Sequence, residues 1–105
     1  MKLAVIALTF LLTPAAWAQD VEVIQEGRKF SEPAVTIPQG GSVTFTNHDP
    51  FTHNVFSKTP GMSFDLRTQK PGSSSKVTFE NVGEADVQCA IHPQMRMKVI
   101  VTERK

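Results

Sequence analysis

The sequence predicts an all-β sandwich on three observations: short runs of alternating apolar and polar residues, turn-forming clusters between them, and no sustained helical period after Gln19. The first run is Val21-Glu22-Val23-Ile24, and the second, Ala34-Val35-Thr36-Ile37, ends at the turn cluster Pro38-Gln39-Gly40-Gly41. Ser42-Val43-Thr44-Phe45-Thr46 follows at once and stops at Asn47-His48-Asp49-Pro50. Further turns stand at Lys58-Thr59-Pro60-Gly61 and Lys70-Pro71-Gly72-Ser73, and between them Met62 to Gln69 has room for a turn of helix. Lys76-Val77-Thr78-Phe79 is the fourth run, closed by Asn81-Val82-Gly83-Glu84. In the fifth, Ala85-Asp86-Val87-Gln88-Cys89, a period of two puts Ala85, Val87 and Cys89 on one inward face. The sixth, Lys98-Val99-Ile100-Val101-Thr102, is mostly β-branched, as strands favour. Short strands at this spacing build a sandwich or a barrel.

The chain begins as an exported one would. Met1-Lys2 gives a positive start, Leu3 to Leu12 is apolar, and Ala16-Trp17-Ala18 is a small-x-small cleavage site before Gln19. These are the parts of a secretory signal peptide. A membrane span needs roughly 20 apolar residues, and Thr13, Pro14 and Gln19-Asp20 end this run too early. Residues 1–18 are therefore expected to be a signal peptide cleaved after Ala18, and 19–105 one exported domain with no integral membrane segment.

Composition narrows the function. A chain of 105 residues makes one domain at most. Eleven basic against ten acidic residues, with no run of like charge, argue against nucleic-acid binding by a basic face. A single cysteine closes no intramolecular disulfide and makes neither a zinc ribbon nor a dithiol redox motif. In an oxidising compartment a lone thiol is a liability unless it is buried or coordinated, so Cys89 acts as a thiol or as a metal ligand.

The segment that carries chemistry is Cys89-Ala90-Ile91-His92-Pro93-Gln94-Met95-Arg96-Met97, with Thr52-His53-Asn54-Val55 upstream. Taken singly, each residue has a plainer reading: His53 as a loop histidine, Cys89 as a buried inert thiol, the methionines as gap-fillers. Taken together they form a soft-to-borderline donor set, and two His with one Cys and a weak axial Met is the blue-copper arrangement. Zinc normally takes four firm ligands. A strand delivers the thiol, two residues of loop return His92, and a methionine follows before the last strand begins.

His53-Asn54-Val55 after a strand and a turn, then Cys-x-x-His-Pro-x-Met before Lys98-Val99-Ile100-Val101, resembles the cupredoxin (type 1 blue copper) family, in its plastocyanin-like group and most of all its amicyanin-like members. Phe30, Pro33, Val35, Ile37, Gly41, Val43, Phe45 and Asn47 match the group's opening strands, so the likeness covers most of residues 28–102. The resemblance implies a cupredoxin-like Greek-key β-sandwich and one type 1 copper, with His53, Cys89 and His92 as equatorial ligands. The axial ligand is Met97 if the loop is plastocyanin-like and Met95 if it is amicyanin-like; the register of the last strand and the run His92-Pro93-x-Met95-Arg96 favour Met95.

The implied function is one-electron transfer in the periplasm by a monomer, between redox proteins such as a c-type cytochrome or a quinoprotein amine dehydrogenase. The alternative is a periplasmic copper chaperone or storage protein. An enzyme is not expected, because one cysteine and three histidines are too few for a second, catalytic copper, and four ligands leave no open position. Ala90 and Ile91 depart from the hydroxyl residue and proline common between Cys and His, and Val87 stands where an aromatic is common. Asn54, which often ties the ligand loops through that hydroxyl, must then leave the tie to a backbone group. His48 is expected in solvent, Pro50, Phe51 and Pro93 around His92, and Arg67, Lys70, Arg96 and Lys98 are candidates for a positive rim.

Overall fold

The computed structural model describes residues 19–104, so the expected signal peptide lies outside the described residues. Eight strands run β1 Asp20–Gln25, β2 Ala34–Pro38, β3 Ser42–Asn47, β4 Val55–Ser57, β5 Phe64–Asp65, β6 Ser74–Thr78, β7 Gly83–Cys89 and β8 Arg96–Thr102. They form two sheets, a three-stranded one ordered β1-β3-β6 and a five-stranded one ordered β2-β8-β7-β4-β5. The architecture is an all-β sandwich of two sheets, not a barrel. β1 lies parallel to β3 and β2 parallel to β8; the remaining pairs are antiparallel.

Alternation explains the layers. In β7, Ala85, Val87 and Cys89 are buried while Glu84 and Asp86 face solvent, and in β8 Met97, Val99 and Val101 are buried opposite exposed Lys98. From the other sheet come Val23, Val43 and Phe45, all without exposed surface. Phe45 stacks on Phe64 at 5.8 Å, and Phe64 meets Phe79 edge-on at 5.9 Å, linking the sheets through aromatic contacts. Burial of each such side chain contributes about 1.5–3 kcal/mol.

All six runs read from the sequence are strands, with ends shifted by one or two residues. Met62 to Gln69, where a turn of helix had room, holds no helix: the segment contains β5, whose Phe64 and Asp65 pair with Ser57 and Phe56 of β4, and Gln69 bridges to His53. Its backbone bonds go across to neighbouring chain, where a helix would need them within the segment. The ends of β1, β3 and β7 and the starts of β2, β4 and β8 meet at one end of the sandwich, which brings the loops 47–54, 66–72 and 89–96 together.

Candidate metal centre

Three donor side chains converge at that end. His53 stands just before β4 and is held by a two-way backbone pairing with Gln69: His53 N–H donates at 3.1 Å and Gln69 N–H donates back at 2.7 Å. Cys89 is the last residue of β7, directly opposite Val55, so sheet register alone brings it close to His53. His92 follows in a tight loop, in which Met95 N–H donates to the His92 carbonyl at 2.9 Å and Cys89 N–H to the Met95 carbonyl at 3.3 Å. This folding back returns the chain to β8.

The donor atoms of His53, Cys89 and His92 all lie within 4.8 Å of one another. Cys89 Sγ is 3.6 Å from His53 Nδ1 and 3.9 Å from His92 Nδ1, so both rings turn the same nitrogen toward the sulfur. The sulfur also accepts the Asn54 N–H at 3.4 Å, a contact suited to a thiolate. His53 and Cys89 are buried and His92 is half-buried. Among the described residues this is the one such cluster of three His, Cys or acidic groups. Two imidazoles and a thiol fit copper, and with a methionine at hand they fit it better than zinc.

Met95 and Met97 are both buried, but in different company. Met97 sits in β8 opposite Val87 and belongs to the apolar core, whereas Met95 stands outside that core in the loop closed by His92 and Cys89. The expected backbone tie between the ligand loops is present: Ala90 N–H donates to the Asn54 carbonyl at 2.9 Å. The Asn54 amide, with its nitrogen toward the β5 turn, donates to the Arg67 carbonyl and to Asp65 Oδ1, each at 3.2 Å.

The surroundings match the sequence reading in part. Phe51 packs 5.4 Å from the His53 ring and 5.5 Å from the His92 ring, Pro50 and Pro93 are exposed, and so is His48. Of the proposed rim, Lys98 pairs instead with Glu84, at 3.4 Å. A cation the sequence did not single out stands beside the site: the Arg28 guanidinium lies over the Phe51 ring at 5.0 Å from its centroid.

Asp49 was also unforeseen. Its Oδ2 lies 2.7 Å from His53 Nε2, and the carboxylate accepts the N–H groups of Gly27 at 2.7 Å and Arg28 at 3.1 Å. Its position inside a turn cluster masked it, and its own N–H does make the turn bond to Asn47 Oδ1 at 2.8 Å; the available signal was a carboxylate four residues before a ligand-type histidine. Burial works to raise the Asp49 pKa, but the hydrogen bonds from His53, Arg28 and Gly27 outweigh it and hold the carboxyl below its ordinary value. His92 is pushed below the ordinary histidine value by desolvation first, then by positive charge at His53 and Arg28.

The family of copper-binding proteins that includes plastocyanin and azurin matches residues 18–102. Methylamine utilization protein MauL of Methylorubrum extorquens is 28% identical over 109 residues, covering 99% of this chain and 95% of its own. The amicyanin structure from Paracoccus versutus superposes with a TM-score of 0.74 at 34% identity, over 81% of this chain and 83% of that one. A copper-containing nitrite reductase from Thermus scotoductus reaches the same TM-score, 0.74, at 27% identity over 81% of this chain; the match spans 23% of the reductase. With its fold, its donor cluster and nearly all of its described residues accounted for by one family, this chain belongs to the copper-binding plastocyanin/azurin family.

Proposed function

We propose that His53 Nδ1, Cys89 Sγ and His92 Nδ1 hold the single type 1 copper of this electron-transfer protein, with Met95 as the weak fourth ligand. The observation that carries the assignment is the approach of both imidazole Nδ1 atoms to one buried thiol, at 3.6 and 3.9 Å. For Met95 the support is its burial outside the apolar core, beside Cys89 and His92. Bound copper supplies a one-electron couple. The protein's part is to keep the donors in place: His53 is anchored by Gln69, Cys89 by strand register, and the two loops by the Ala90–Asn54 bond.

His92, half-buried where the other two donors are buried, offers its ring edge as the electron portal. Phe51, Pro50 and Pro93 give that edge an apolar margin suited to brief docking of a redox protein. We assign the work to the periplasm, with residues 1–18 as the cleaved signal peptide and the mature form a monomer. A quinoprotein amine dehydrogenase as donor and a c-type cytochrome as acceptor fit the likeness to a protein named for methylamine utilization. We further propose that the chain is a carrier and not an enzyme, since the donor cluster leaves no open position once Met95 is counted.

The test is a Cu(II) titration of the purified protein followed by ascorbate. An intense blue thiolate-to-copper band saturating at one equivalent, bleached by ascorbate and restored on reoxidation, is expected. Copper binding without that band overturns the assignment. Surrender of copper to an acceptor on each reduction points instead to a copper chaperone or store.

A further inference from the structure

Asp49 has no role in the metal cluster itself, yet it is built into the fold with unusual care. It is buried, and its carboxylate accepts the backbone N–H groups of Gly27 and Arg28 at 2.7 and 3.1 Å and lies 2.7 Å from the His53 ring nitrogen Nε2. The backbone donors come from the turn between β1 and β2, closed by reciprocal bonds between Glu26 and Lys29 at 3.0 and 3.2 Å. Its two central residues both take left-handed backbone angles, φ 65° at Gly27 and 59° at Arg28. Such angles are ordinary for glycine and uncommon for arginine. The turn thus aims two successive N–H groups at a carboxylate more than twenty residues away in sequence.

We infer that Asp49 is a positioning residue for the copper, fixing the tautomer and orientation of His53 and setting the reduction potential through its buried charge. The inference rests on the ligand assignment above. A carboxylate 2.7 Å from Nε2 makes that nitrogen the proton carrier and leaves Nδ1, the atom facing Cys89, bare for the metal. Among the described residues the Asp49 carboxylate forms no ion pair with Lys or Arg, and the Arg28 guanidinium is directed to Phe51. The negative charge therefore acts across the imidazole on whatever cation Nδ1 holds. It stabilises Cu(II) more than Cu(I), because a fixed charge interacts in proportion to the charge it faces. Asp49 accordingly lowers the potential relative to a neutral hydrogen-bond acceptor at the same place.

The experiment compares the copper-loaded protein with its Asp49→Asn and Asp49→Glu variants by spectroelectrochemical titration, alongside unfolding of the metal-free forms. The wild type comes first: failure to form the blue band there removes the ligand assignment, and this inference with it, before any substitution is read. With the band present, Asp49→Asn is expected to lower the Cu(II)/Cu(I) ratio at fixed applied potential about tenfold, a rise in midpoint of about 59 mV for one electron. Asp49→Glu, which keeps the charge, is expected to return to within about threefold of wild type. A blue Asp49→Asn protein whose ratio changes less than about threefold overturns the inference, even if its metal-free form unfolds more easily, since a purely structural role would do that. If Asp49→Asn does not fold, NMR of the reduced wild type decides: a slowly exchanging proton on His53 Nε2 supports the inference, and a proton on Nδ1 or rapid exchange at Nε2 overturns it.

Discussion

Ala90 donates its backbone N–H to the Asn54 carbonyl at 2.9 Å, so the thiol-bearing loop and the His53 loop are joined main chain to main chain. The same two residues explain how a loop lacking the usual hydroxyl residue stays in register. Asn54 also sends its own N–H to Cys89 Sγ at 3.4 Å, which makes one residue's backbone serve both the tie and the sulfur.

Asn54→Ala is therefore expected to leave the blue band in place. It removes the amide bonds to Arg67 and Asp65, a loss of about 0.5–1.5 kcal/mol per bond at most, read as a lower denaturant midpoint. A displaced or bleached band would show that the side chain, not the backbone, sets the sulfur's surroundings.

The two buried methionines are expected to separate cleanly. Met97→Leu is a near-isosteric change in the apolar core and costs less than about 1.5 kcal/mol with the copper spectrum unchanged. Met95→Leu is expected to shift both spectrum and potential with little effect on the unfolding of the metal-free protein. The reverse pattern would move the fourth ligand to Met97.

The metal-free protein is expected to lose stability as the pH falls through the ordinary histidine value of 6.5, because the His92 pKa is lowered in the fold by desolvation, then by the charges at His53 and Arg28. Below 6.5 the unfolded chain takes up a proton at His92 that the folded chain refuses, so acid favours unfolding; above it both forms are neutral and the contribution vanishes. Asp49 acts in a lower window: its depressed pKa stabilises the fold above the ordinary 3.8, and that stability is lost as the pH falls through the folded value. Denaturant unfolding between pH 8 and 5, with and without His92→Gln, measures the first effect. A slope that His92→Gln leaves unchanged would assign it elsewhere.

A buried amide relay supports the His53 loop from below. Gln25 Nε2 donates to Gln69 Oε1 at 2.7 Å, and Gln69 Nε2 donates to the Phe45 carbonyl at 2.8 Å. Gln69→Leu strands a buried donor and a buried acceptor, and each is expected to cost about 1–3 kcal/mol. Adding Gln25→Leu should recover part of the loss, because the orphaned donor goes with it and Gln25 Oε1 has no partner in the native fold. A double-mutant cycle by chemical denaturation checks this; strict additivity would argue that the two amides act separately.

Local pattern was enough wherever an element's chemistry repeats within the element. β7 and β8, seven residues each, are long enough for period-two alternation to show, and the inward triplet Ala85, Val87, Cys89 follows from it. β4 and β5, at three and two residues, are too short to show a period, and their partners alone make them strands. That is why Met62 to Gln69 could be taken for helix. The cluster of His53, Cys89 and His92 was legible because the Cys-x-x-His spacing and the strand before it are local, and the distant histidine is itself followed by a strand that pairs with β7.

The sequence by itself determined the all-β class, the strand that carries Cys89, and the three residues whose donor atoms meet. Only the tertiary structure decided what surrounds them. It separated Met95 from the core that holds Met97, laid Arg28 over Phe51, and brought a left-handed turn at Gly27 and Arg28 against Asp49 and so against His53. The reason is physical: alternation and turn chemistry act between residues a few positions apart, whereas the packing of one loop on another depends on how the sheets stack, which no single segment encodes.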